Sequence, residues 1–167
     1  MICLAAAMPD IYQFLDQHQI SYQQHDHPAV FTVAESQKYD FNVPGAKTKN
    51  LFLRNKKGSQ HFLVVVQADK RVDLKALAKQ LEVAGGLGFA SEQRLFKYLG
   101  LTPGSVSPFG LINDTDHHVQ VIIDQDLMLD DQIGFHPNVN TATLVISTED
   151  FKKYLDVLEN LVKTVAL

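Results

Sequence analysis

Four consecutive apolar residues, Leu63-Val64-Val65-Val66, break the alternation that a half-exposed strand shows. Branched side chains at Cβ favour extended backbone, and a strand that is apolar at every position has both faces to hide. The pattern therefore predicts a strand over His61–Gln67 covered on both sides. A second apolar run, Leu51–Arg54, precedes it across Asn55-Lys56-Lys57-Gly58. Polar residues ending in glycine suit a hairpin turn between the two runs. Strands are also predicted at His118–Ile123 and Thr143–Ile146, and Ile20–His25 reads as extended.

Helical signals alternate with these strands. Asp10 to about His18 places Ile11, Phe14 and Leu15 on one face. Thr32-Val33-Ala34-Glu35 has capping-box spacing, so a short helix should start after Thr32. Val72–Leu81 carries a helical stripe. Ser91 reads as an N-cap, with Leu95, Phe96 and Leu99 inward and Gly100 as the stop. Ser147 should cap a final helix from Glu149 to about Val165, with Phe151, Tyr154, Leu155, Leu158, Leu161 and Val162 facing inward. Interspersed strands and helices with a hairpin predict an α+β (mixed α/β) fold: a curved, barrel-like mixed sheet surrounded by helices. The 167 residues fit one domain with a sizeable core, expected to span 1–167. Residues 1–8 read as an N-terminal extension, and Met8 is an alternative start to Met1, which would leave the first seven residues outside the protein. That apolar start is too short for a signal peptide and lacks a basic flank. No apolar run is long enough to span a bilayer.

Cys3 is the only cysteine, so neither an intrachain disulfide nor a thiolate zinc cage can form. Neither His25/His27 nor His117/His118 has zinc-protease spacing. No serine-hydrolase elbow and no nucleotide phosphate loop is present.

Charge is distributed unevenly. The formal net charge is −4, yet residues 47–110 hold 11 Lys/Arg against 4 Asp/Glu, a net of +7. The segment Lys47–Lys57 has five cations and no acid. Such a block suits an anionic partner, because phosphates are bound largely through Lys and Arg.

Three segments have the chemistry of a site. Lys49-Asn50 opens an apolar strand, where a rigid backbone can aim an ammonium at a phosphate or carbonyl. Gly104-Ser105-Val106-Ser107-Pro108 lies in a loop dense in Gly, Pro and Ser, whose successive N–H groups can cradle an anion or orient a water. Gly134-Phe135-His136-Pro137, followed by Asn140-Thr141-Ala142-Thr143, joins small and hydrogen-bonding side chains around a histidine that can bond a hydroxyl or shuttle a proton.

These segments, in this order and spacing, resemble the YbaK-like aminoacyl-tRNA deacylases, and among them the free-standing prolyl-tRNA editing proteins. Lys49-Asn50-Leu51-Phe52-Leu53 looks like the family's lysine-bearing strand, Gly104–Pro108 fits its G-x-x-x-P loop, and the 134–143 segment resembles that of the alanine-specific branch. The resemblance covers about residues 10–160. It implies a metal-free, cofactor-free hydrolase that acts in trans, in the cytoplasm, on mischarged tRNA(Pro), with alanyl-tRNA(Pro) as the expected substrate. Cysteinyl- or seryl-tRNA, or a non-catalytic tRNA-binding module, are the alternatives. The implied partners are tRNA and prolyl-tRNA synthetase, with no membrane or DNA. Lys49, Gly104, Ser105 and His136 are the expected catalytic residues. Backbone N–H groups of 104–108 are expected to stabilise the oxyanion. Asn50, Val106, Ser107, Pro108, Asn140, Thr141 and Ala142 are expected to bind substrate, and Lys47, Lys56, Lys57, Lys70 and Arg71 to bind tRNA phosphates.

Overall fold

The computed structural model describes residues 9–32, 34–35 and 42–167. In chain order the elements are α1 (Ile11–Gln17), β1 (Gln23–Asp26), β2 (Thr48–Asn55), β3 (His61–Gln67), α2 (Leu74–Gln80), β4 (Leu87–Phe89), α3 (Glu92–Leu99), a 3-10 turn (Pro108–Asn113), β5 (Val119–Asp124), a second 3-10 turn (Gln125–Leu129), β6 (Gln132–Phe135), β7 (Ala142–Ser147), α4 (Thr148–Leu158) and β8 (Val162–Val165). The mixed α+β architecture is as expected, and the strands form two sheets that do not close into a barrel among the described residues. One has five strands in the order β4-β2-β3-β5-β8, the other three in the order β1-β7-β6.

The β2–β3 hairpin is antiparallel, with Leu51 opposite Val64 and Asn50 opposite Val65. β5 adds parallel to β3, which makes β3 a central strand. Leu63 to Val66 are fully buried. Leu63 and Val65 face the main core with Phe109, Phe135, Phe151 and Tyr154. Val64 and Phe62 face a second core built on Leu77 of α2. Among the described residues a single isolated parallel bridge, Ala46 to Ile133, stitches the two sheets together. Ala46 donates its N–H to the Gln132 carbonyl (2.8 Å) and accepts from the Gly134 N–H (3.1 Å).

Local signals set the helix starts. Asp10, Asp73, Ser91 and Ser147 each cap a helix by accepting backbone N–H groups, and Gly100 ends α3 at φ +66°. The Thr32 capping box is formed: Glu35 N–H donates to Thr32 Oγ1 (3.1 Å), and Thr32 N–H donates back to Glu35 Oε2 (3.3 Å). How far that helix runs lies outside the described residues, as do residues 1–8.

The last helix is shorter than its periodicity suggests. It stops at Leu158, because Glu159 turns left-handed (φ +62°). Asn160 is then buried, donating its amide to Asp114 Oδ2 and to the Val119 carbonyl, both at 2.9 Å. With Asn160 pinned, the Leu161 carbonyl accepts from Val121 N–H, and residues 162–165 add as a parallel strand on β5. Leu161 is therefore exposed rather than inward-facing. Phe96, also expected inside, is exposed because α3 buries only Leu95 and Leu99. Asn160→Ala leaves two buried acceptors without these donors and should cost about 2 kcal/mol, read as a lowered urea midpoint.

His61, at the start of β3, is buried and lies between the rings of Phe52 and Tyr98, at 5.8 and 4.3 Å between centroids. Burial, and then the neighbouring Arg94 guanidinium, lower its pKa from 6.5 to about 4. The unfolded chain takes up this proton near pH 6.5, whereas the folded chain resists until about pH 4. Stability is therefore fully present above the upper value and falls as the pH drops through that window. His61→Gln should flatten this part of a pH–stability profile.

Candidate active site

Two adjoining hollows open where the sheets meet. The larger, about 210 Å³, is lined by Lys49 and Asn50 of β2, Gly104 and Val106 of the Gly/Pro loop, His136, and Phe31. The smaller and more enclosed one, about 80 Å³, lies against the seam between the sheets, with Ala46, Gly134, Phe135, Thr143 and His27 among its walls. Val30, Lys47, Thr48, Asn50 and His136 border both. The three segments singled out in the sequence thus share one concavity, although 49, 104 and 136 are far apart in the chain.

The site is held by cross-links between elements. Lys49 Nζ donates to the backbone carbonyl of Lys70, which fixes the ammonium at the edge of the open hollow. Asn50 Nδ2 donates to the Val106 carbonyl (3.1 Å), tying the loop to β2, while its Oδ1 is buried without a hydrogen-bond partner. Thr48 Oγ1 donates to the Gly134 carbonyl (2.9 Å), a second tie across the seam. Gly104 sits at φ +87°, and an added Cβ there would stand 3.1 Å from Phe31 Cδ1, so glycine suits both its backbone and its neighbour.

His136 Nδ1 lies 2.9 Å from the Ala142 carbonyl, which can only accept, so Nδ1 carries a proton and Nε2 of the neutral ring is left as an acceptor. Burial pushes the pKa of this imidazole below its ordinary value, opposed by the Ala142 carbonyl and assisted by His27. The two rings pack edge to face at 5.9 Å. His27 spans from the Pro28 carbonyl to Thr143 Oγ1, both 2.9 Å away, and so braces the wall of the smaller hollow.

Other expected site residues serve the scaffold. Ser105 N–H donates to the Thr102 carbonyl, and Pro108 has no N–H to offer. Of the loop's residues, Gly104 and Val106 line the open hollow. Ser107 is fully buried and caps the first 3-10 turn through Phe109 N–H. The Pro108 carbonyl accepts from the Tyr154 hydroxyl (2.8 Å). Asn140 and Thr141 use their carbonyls to hold Val30 and His27, and neither they nor the buried Ala142 line a hollow. Thr143, one residue further along β7, does.

Among the cations, Lys47 borders both hollows, and Lys56 and Lys57 lie at the hairpin tip. Arg71 is exposed. Lys70 is neutralised: its ammonium sits 2.8 Å from the buried Asp124 and 2.6 Å from Asp126, and these bonds raise its pKa. Its backbone, rather than its charge, faces the site through Lys49. Sequence reasoning gave no site role to Phe31, Thr32 or Ala46, whereas Thr143 belongs to the segment of small residues expected to wall the pocket. Phe31 precedes the capping box and Thr32 opens it, and that spacing was the available signal. Among the described residues, no three His, Cys, Asp or Glu side chains converge as a metal-binding set, and no helix is long and apolar enough to cross a membrane.

The two-sheet α+β scaffold and the sequence that builds it belong to an established class. The aminoacyl-tRNA editing domain model fits residues 27–154. The chain belongs to this family and is an aminoacyl-tRNA deacylase.

Its relatives include the prolyl-tRNA editing protein ProX of Acetoanaerobium sticklandii, 43% identical over 153 residues, covering 92% of this chain and 93% of that protein. Prolyl-tRNA synthetase associated domain-containing protein 1 of Bos taurus is 38% identical over 133 residues, covering 78% and 77%. Among solved structures, the hypothetical protein APE2540 superposes with a TM-score of 0.71 at 16% identity, over 92% of this chain and 97% of that one. A candidate trans-editing enzyme for prolyl tRNA synthetase superposes at 0.67 with 19% identity, over 98% and 99%. The two structures bear on the fold.

Proposed function

We propose that this chain edits in trans, removing alanine from mischarged tRNA(Pro) in the cytoplasm. The observation that carries this reading is the division of the site: a small enclosed hollow beside a larger open one, with Lys49, Asn50 and His136 around the opening. A synthetase pocket that admits proline cannot strongly exclude the smaller alanine, because lost methylenes discriminate by only about 1–3 kcal/mol. A second site selecting by size remedies this. In this reading the enclosed hollow, the smaller of the two, takes the amino-acid side chain, and its walls of Ala46, Phe135 and Thr143 are what a pyrrolidine ring would meet.

In this reading the open hollow takes the terminal ribose and its phosphate. Lys49 supplies positive charge to that phosphate or ribose. The N–H groups of Gly104 and Val106 face the developing oxyanion, and His136 Nε2 accepts a hydrogen bond from a ribose hydroxyl or the attacking water. The aminoacyl ester is already activated, so aligning water and stabilising charge suffice without a covalent intermediate. The 2′-hydroxyl of the terminal ribose can assist the attack. Phe31, 65% exposed beside Gly104, offers a ring for the terminal base to stack on.

The test is a deacylation panel of alanyl-, cysteinyl-, seryl- and prolyl-tRNA(Pro) with purified protein. Release of alanine with prolyl-tRNA spared is the expected result. Preferred hydrolysis of the cysteinyl or seryl ester would reassign the small hollow, and tRNA binding without turnover would remove the hydrolytic reading.

A further inference from the structure

The far end of β2 carries a second concave surface, separate from the hollows above. Arg54, Lys56, Lys57 and Arg94 line a depression of about 370 Å³, with Phe89 of β4, 64% exposed, on its rim. No acid lines it, and none of its four cations is ion-paired among the described residues. In a chain of net charge −4, this grouping creates a local field for anions.

Two of the cations are fixed by the scaffold. Arg54 Nη1 donates to the carbonyls of Asn55 (3.1 Å) and Lys56 (3.2 Å). Arg94 Nη1 donates to the Gly58 carbonyl and to His61 Nε2, both at 2.9 Å. Gly58 is what allows this approach, since a Cβ there would stand 2.6 Å from Arg94 Nη2. Lys56 and Lys57 are exposed on the hairpin tip beside these anchored guanidinium groups. Anchored Arg and exposed Lys next to an open aromatic ring is the set of groups that RNA backbones and bases engage.

The spacing also fits. Asn50 and Arg54 lie on the same face of β2, four residues apart and so about 13 Å along the strand. That is about four stacked nucleotide steps at ~3.4 Å each. An RNA whose 3′ end enters the open hollow would bring its first paired phosphates to this end of the strand.

We propose that this basic depression grips backbone phosphates of the acceptor stem of the substrate tRNA, a contact remote from the reacting ester. The identity of the RNA rests on the editing function proposed above; the contact itself is tested by binding alone. Lys56→Ala/Lys57→Ala should weaken binding of uncharged tRNA and make log affinity against log salt shallower by about 1.5–2. Hydrolysis of an alanylated CCA trinucleotide, too short to reach the depression, should be unchanged. Unchanged tRNA affinity and salt slope would overturn the proposal, as would an equal loss on the trinucleotide. If the wild-type protein hydrolyses neither substrate yet binds tRNA with a salt slope that the double variant reduces, the editing reading fails and the phosphate contact stands.

Discussion

Lys49→Ala should reduce single-turnover deacylation by about 100-fold or more while leaving the fold intact. The size follows from removing one pre-oriented charged group from a site that works by electrostatic stabilisation, where single donors account for roughly 10²–10³ in rate. Lys49 is held from two directions: pairing opposite Val66 of β3 fixes its backbone, and the Lys70 carbonyl fixes its ammonium. The Lys70 carbonyl is itself steadied, because the same residue's side chain is clamped by Asp124 and Asp126. No core side chain is lost, so thermal unfolding should match the wild type. Near-normal turnover in a folded Lys49→Ala protein would remove this residue from the chemistry.

Gly134→Val should have an effect of similar size by a different route. Gly134 lies on β6 in the wall of the enclosed hollow, and a Cβ there would stand 3.0 Å from Thr143 Cγ2. The backbone is strand, where valine is favoured, so the added atoms should occupy the hollow more than disturb the sheet. Excluding a group from a fitted pocket alters discrimination about 10–200-fold per methylene-sized mismatch. The expected outcome is an alanine-release rate lowered by about 100-fold, with tRNA affinity retained because the cations are untouched. Normal alanine release would mean that the amino-acid side chain sits elsewhere.

The parts of this molecule that were legible in its sequence are those with local causes. The β2–β3 hairpin follows from two apolar runs and a Gly58 turn, and the helix starts follow from Asp10, Ser91 and Ser147 as side-chain acceptors. What escaped was set by distant partners. Leu158, Leu161 and Val162 keep helical spacing, but the buried bonds of Asn160 to Asp114 and Val119 redirect the chain into β8. β6 is four residues long and exists because β7 and Ala46 flank it.

The site divides in the same way. Lys49, Gly104 and His136 were marked by residue type and by family resemblance, and the fold brings them to one hollow. The 140–143 segment was the right neighbourhood, with the phase of the strand unread: successive side chains on β7 alternate, so Thr143 lines the hollow and Ala142 turns to the core. Lys70 looked like any surface cation, because Asp124 and Asp126 are more than fifty positions away in the chain.

The Ala46–Ile133 bridge gives one side of the smaller hollow a gauge set by the join between the sheets. An opening bounded by side chains can be widened by trimming one of them. At the seam the bounding groups are already alanine and glycine, so no substitution to a smaller residue at those two positions leaves much more room. Widening there would require one sheet to be reseated against the other, which leaves Phe135 and Thr143 as the walls that trimming can move. Narrowing, by contrast, needs only one added methyl.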